Sequence, residues 1–93
     1  MLFFFMAVFT ISYDLNKQGQ NYEAIWAELK RTEYNHIMDS TWLISTSENV
    51  SQIQDRVKKH LDANDRLLIS KLNRGEYNGW LTNDQWAWIR ERL

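Results

Sequence analysis

Apolar and polar positions alternate from Ala7 to Tyr13. Val8, Thr10 and Ser12 fall on one side of an extended chain, and Phe9, Ile11 and Tyr13 on the other. The run is rich in β-branched and aromatic residues, so it predicts a strand with one apolar face and one face of small, hydroxyl-bearing side chains. The polar segment Asn16–Gln20 predicts a loop. Tyr22, Ile25, Trp26 and Leu29 then recur at i, i+3, i+4 and i+7, the spacing of one helix face. Glu23, Glu28, Lys30 and Arg31 are expected largely on the opposite, solvated face, with acids early and bases late to complement the helix dipole. His36–Asp39 predicts a weak strand and Ser40–Thr46 a stronger one. They form either two strands with a tight connection or one long bent pair. Asn49 and Gln52 have the spacing of a capping box. They open a helix with Val50, Ile53, Val57 and Leu61 on one face and Asp55, Arg56, Lys58 and Lys59 mostly outside. Asp65–Leu72 predicts a further strand. Gly75 and Gly79 punctuate the turn that follows. Thr82 and Gln85 form a second capping box, opening a short helix with Trp86, Ile89 and Leu93 on one stripe.

This order predicts an α+β, ferredoxin-like βαββαβ sheet with two helices on one face and an additional C-terminal helix. The second face is then bare, and a small domain often covers such a face by dimerising. Residues 80–93 are expected to be an accessory segment packed on the sheet or on a neighbouring subunit. A chain of 93 residues is expected to form a single domain, 1–93. The apolar stretch from Met1 to Phe9 falls short of the ~20 residues a membrane helix needs. It also lacks the basic start and small-residue cleavage site of a signal peptide, so no membrane association is expected. Met6 is a second candidate start, which would make residues 1–5 an N-terminal extension.

Composition narrows the chemistry. There are no cysteines, which excludes disulfides, thiolate metal sites and a cysteine nucleophile and is compatible with the expected cytoplasmic location. The net charge of -1 gives no global basic field to attract nucleic acid. Such a partner would need a local basic patch or a metal. Asp14, at the C-terminal end of the first strand, is the best functional lead, because a carboxylate there stays wet and can meet a metal or a partner. Its alternative role is that of a turn former.

Three short motifs carry a resemblance. Tyr13-Asp14-Leu15-Asn16, Asp39-Ser40-Thr41-Trp42 and Gly75-Glu76-Tyr77-Asn78-Gly79-Trp80-Leu81 occur in that order. They resemble the SinR-like branch, with VapD-like relatives, of the small CRISPR-associated "Cas-two" family, and Tyr13-Asp14-Leu15, Ser40-Thr41-Trp42-Leu43 and Asp65-Arg66-Leu67-Leu68-Ile69 resemble the wider family. The likeness to the wider family spans about Ala7 to Leu72. It implies a ferredoxin-like homodimer in which the two copies of Asp14 face each other across the dimer axis. It also implies divalent-metal-dependent cleavage of RNA or DNA. Asp14 would hold Mg²⁺ or Mn²⁺, which prefer oxygen ligands, and Ser12 or Ser40 would orient the water the ion activates. Active nucleic-acid binders of this kind place a basic residue soon after the Asp; here Lys17 is the nearest. Lys30 and Arg31 would flank a binding patch. Two other readings stand beside the nuclease: a non-catalytic dimeric module for nucleic acid or protein, and a toxin with an antitoxin-like partner protein.

Other residues carry weaker signals. His36 and His60 are too far apart to suggest a metal pair, and His60 is expected to end a helix, where a cation meets the dipole. Trp26 and Trp42 occupy core positions. Trp80, Trp86 and Trp88 cannot all face one way, so one or more is expected at the surface or at a dimer contact. Asp62 and Asp65 show no partner geometry. Phosphate-binding glycine loops, zinc signatures and serine-elbow motifs do not occur.

Overall fold

The alternating run after Met6 forms the central strand of a four-stranded antiparallel sheet. A computed structural model describes residues 5–16 and 22–93. The elements are β1 (Ala7–Asp14), α1 (Tyr22–Leu29), β2 (Glu33–Met38), β3 (Thr41–Thr46), α2 (Val50–Lys58), β4 (Arg66–Leu72) and α3 (Asn83–Arg92). The strands lie in the order β2-β3-β1-β4. β1 pairs with β3 from Ala7↔Thr46 to Ser12↔Thr41, and with β4 from Val8↔Leu72 to Asp14↔Arg66. The protein is thus a small α+β structure. None of the described helices is long and apolar enough to cross a membrane.

The period-2 alternation sorts the side chains between two apolar layers. Phe9, Ile11 and Tyr13 of β1 join Trp42 and Ile44 of β3 beneath Ile25 and Leu29 of α1 and Ile53 and Val57 of α2. Val8 and Leu43 point to the opposite face, where Ile89 of α3 covers them. The second face is therefore not wholly bare: α3 packs on the sheet of its own chain. Gly75 allows the chain to turn there, because its φ of +78° lies in the left-handed region that side chains disfavour.

Both capping boxes form. Asn49 and Thr82 each accept a hydrogen bond from the backbone N–H three residues on, and Gln52 and Gln85 return the bond to the cap N–H. The connection at Asp39-Ser40 is tight, so two strands form rather than one bent pair. β2 starts three residues earlier than His36 because Glu33, Tyr34 and Asn35 pair with β3. Its register shifts between His36 and Met38, and such a bulge bends the strand into the turn. Val50 departs from the expected inner face. It is the first residue after the cap and lies largely in solvent.

Candidate functional site

Asp14 is the last residue of β1, and its side chain is exposed. The chain beyond it is anchored: Asp65 accepts hydrogen bonds from the Asn16 N–H at 2.9 Å and the Asp62 N–H at 2.8 Å. Asp65 is therefore buried with backbone partners that its sequence spacing did not reveal. It ties the exit of β1 to the entry of β4. Ser12 lies two residues before Asp14 on the same face, and its hydroxyl is 3.2 Å from that of Thr41. The carbonyl of Ser40 accepts from the Tyr13 N–H at 3.1 Å. The sheet thus brings Ser12, Ser40, Thr41 and Asp14 to one end. A surface depression of about 260 Å³ lies there, lined by Ser12, Asp14, Arg66 and Leu68 among others. Arg66 is the register partner of Asp14. Among the described residues, no three His, Cys, Asp or Glu side chains cluster so as to hold a metal ion.

An aromatic network holds this end of the sheet. The Tyr13 hydroxyl accepts the indole N–H of Trp26 at 2.8 Å and that of Trp42 at 3.2 Å, and donates to the Asp39 carbonyl at 3.4 Å. His36 stacks on Trp42 with ring centroids 4.1 Å apart, and its Nε2 lies 3.0 Å from the same carbonyl. His36 therefore supports the turn that carries Ser40.

The described candidate basic residues, Lys30 and Arg31, lie elsewhere. Lys17 falls outside the described residues. Lys30 and Arg31 follow the C-terminus of α1. That helix starts beside Tyr13, whose ring lies 6.2 Å from that of Tyr22, and runs for eight residues, about 12 Å. It ends where Glu33 meets Ser45, at the opposite end of β3 from Thr41. The fold does not bring Lys30 and Arg31 to Asp14.

Arg31 instead lies against Glu28, which the sequence reading placed on the outer face. Glu28 is buried, with its side chain 9% exposed, and lies within 4 Å of Arg31, Arg56, Lys59 and His60. Its spacing held the signal, because Ile25, Glu28 and Leu29 lie at i, i+3 and i+4 on the inner face. Arg56 is not solvated either. Its guanidinium grips Glu48 through Nε at 2.9 Å and Nη2 at 3.0 Å, and Nη1 donates to the Glu28 carbonyl. Burial alone would raise both acids. Hydrogen bonds from His60 and Lys59, with the charges of Lys59 and Arg31, outweigh burial at Glu28 and hold it down at about 2. Arg56 and Thr46 likewise hold Glu48 below its ordinary value.

A pH dependence follows. In the unfolded chain Glu28 takes up a proton near its ordinary value of 4.5, but in the fold only near 2. Its stabilisation is full above the first value and is lost as pH falls toward the second. After allowance for screening of the exposed partners, the expected loss is about 1–3 kcal/mol. Urea unfolding between neutral pH and the acid limb measures it. A limb equally steep in Glu28→Gln would exclude Glu28 as its source.

On the second sheet face, α3 is fastened by the Gln85 side-chain amide, which donates to the Ile37 carbonyl at 3.2 Å. Arg92 stacks on Trp88 at 4.1 Å and reaches Glu33 at 3.5 Å. Trp86 and Trp88 are half-buried, and Trp80 stands entirely in solvent. Beside α3 lies an apolar cavity of about 270 Å³. No family model matches this chain, and no solved structure matches it.

Proposed function

We propose that this chain is one subunit of a ferredoxin-like homodimer of the Cas-two or SinR-like kind, a metal-dependent endoribonuclease whose essential carboxylate is Asp14. The observation that carries this reading is the placement of Asp14. It ends a central strand, is exposed on the open face beside the hydroxyls of Ser12 and Thr41, and has no ion pair among the described residues. The strand order β2-β3-β1-β4 with two crossover helices supports the ferredoxin-like assignment.

Among the described residues no three acids or histidines cluster around Asp14, so the donors fit a hard cation best as a pair, one from each copy. Oxygen donors of this kind suit Mg²⁺ or Mn²⁺. Bound there, the ion would supply an activated water and offset charge developing on the phosphate. Asp14 holds it, Ser12 and Thr41 donate hydrogen bonds at the rim, and Arg66 offers a cation to a phosphate oxygen. The two carboxylates would repel one another without the ion.

The test is cleavage of labelled single-stranded RNA with Mg²⁺, Mn²⁺ or EDTA. The wild type should need the metal, and Asp14→Ala should lose at least about 100-fold in rate while melting as the wild type does. Equal cleavage by both, or cleavage in EDTA, would sink the proposal. A double-stranded DNA arm reports nucleic-acid preference.

A second reading is a non-catalytic module that binds nucleic acid or a protein, including an antitoxin-like partner. The exposed Trp80 beside the apolar cavity favours it.

A further inference from the structure

We infer that two copies of this chain associate by exchanging Trp80, each indole entering the apolar cavity of the other copy. The inference rests on the homodimer reading above and names the contact that makes it. Trp80 is 100% exposed although it is one of the residues that line the mouth of an apolar cavity. The cavity next to it is walled by Ile37, Met38, Leu43, Tyr77, Trp86 and Ile89. Trp80 stands at its rim and does not fill it. The Thr82–Gln85 capping box and the Gln85 bond to β2 fix the start of α3 just beyond Trp80. The same face thus carries an apolar knob and an apolar hole.

A knob and a hole on one surface satisfy each other under two-fold symmetry, where residue i meets j and j meets i. A second copy brings both features at once. The volume of about 270 Å³ suits a single side chain better than a drug-sized ligand, which takes about 300–1,000 Å³.

Area sets the strength of the contact: the exchange alone falls in the range of a weak, transient interface rather than a standard one. A buried aromatic side chain removes about 150–250 Å² from water, and the wall that receives it loses a similar area. Two exchanges therefore remove roughly 600–1,000 Å², against about 1,200–2,000 Å² for a stable interface. Leu68, 68% exposed, supplies further apolar surface outside the cavity. Leu68 is paired in register with Ser12, and Ser12 with Thr41, which lines the cavity, so they share the face.

Sedimentation of the full chain over a concentration series tests the inference. The wild type should be a dimer at tens of micromolar. Trp80→Ala removes the knob, and Met38→Lys places a charge at the mouth of the hole. Both residues are exposed, so melting temperatures should stay near wild type. Each variant should weaken the dimer at least about 100-fold, as expected for a central Trp anchor. An equimolar mixture of the two should associate more tightly than either alone, because the Trp80 of one meets the intact hole of the other. A monomeric wild type would overturn the inference, as would a dimer that neither substitution weakens. A monomer that takes a different protein through Trp80 would overturn it too. Asp14→Ala separates this contact from the nuclease reading. If that variant and the wild type dimerise through Trp80 and neither cleaves RNA, the contact stands and the nuclease fails. If Trp80→Ala stays dimeric and cleaves RNA, the nuclease stands and the contact fails.

Discussion

Glu28→Gln is expected to lower folding stability by about 2–4 kcal/mol, and so the melting temperature by about 10–25 °C. The substitution keeps the shape of the side chain but turns one of its two accepting oxygens into an N–H donor, so the loss reports the charge together with one acceptor. Arg31, Arg56, Lys59 and His60 would then converge on a neutral amide. Arg56 keeps its grip on Glu48, which limits the damage. The side chains of Arg31 and Lys59 are more than half exposed and can turn to water, which places the figure below that of a fully buried pair. High salt should recover part of the loss, because it screens the remaining cations from one another. Thermal melts at low and high salt measure both quantities. A loss below about 1 kcal/mol would mean that these four side chains are held by packing and solvent rather than by Glu28.

That cluster also bears on function. From the sequence, Lys30 and Arg31 read as a solvated helix face that would flank a binding patch. In the fold, Arg31 lies 3.5 Å from the Glu28 carboxylate, and Lys30 lies 5.9 Å from the ring centre of Tyr34. Linear sequence shows where charges sit along an element, but not which opposite charge a second helix brings to them. The proposed nuclease therefore draws its cation from Arg66, beside Asp14 on the adjacent strand.

The strands and caps were legible because their signals are local. Alternation in β1 assigned Phe9, Ile11 and Tyr13 to one layer, and the pairs Asn49–Gln52 and Thr82–Gln85 marked both helix starts. The position of Asp14 at a strand end was legible for the same reason. What surrounds it was not. Asp65 reaches Asn16 across 49 positions, and Ser12 reaches Thr41 across 29, and only the sheet register makes such neighbours. Glu28 was misplaced because a charged residue at an inner-face spacing reads as an outer one unless its partners are known. The glycines marked the turn beside the cavity, but the bond that fastens α3 there, from Gln85 to Ile37, spans 48 positions and lies outside any periodicity.

Trp42→Ala is expected to remove about 3–5 kcal/mol, a large share of the stability of a domain this size, about 5–14 kcal/mol at the usual range per residue. Trp42 is fully buried at the centre of the sheet, opposite Ile11 on one side and His36 on the other. Its removal opens a cavity beneath α1 and unstacks His36. It also takes one of the two indole N–H groups from the Tyr13 hydroxyl. The effect should reach the candidate site, because Tyr13 and His36 both hold the Asp39 carbonyl and so the turn that carries Ser40. Urea unfolding gives the magnitude, and Trp42→Phe separates the two causes. Phenylalanine retains most of the packing and removes the hydrogen bond, so it should cost only about 1–2 kcal/mol. A loss under about 1.5 kcal/mol for Trp42→Ala would show that the sheet closes over the gap and that Trp42 is not what fixes the Asp14 end of the fold.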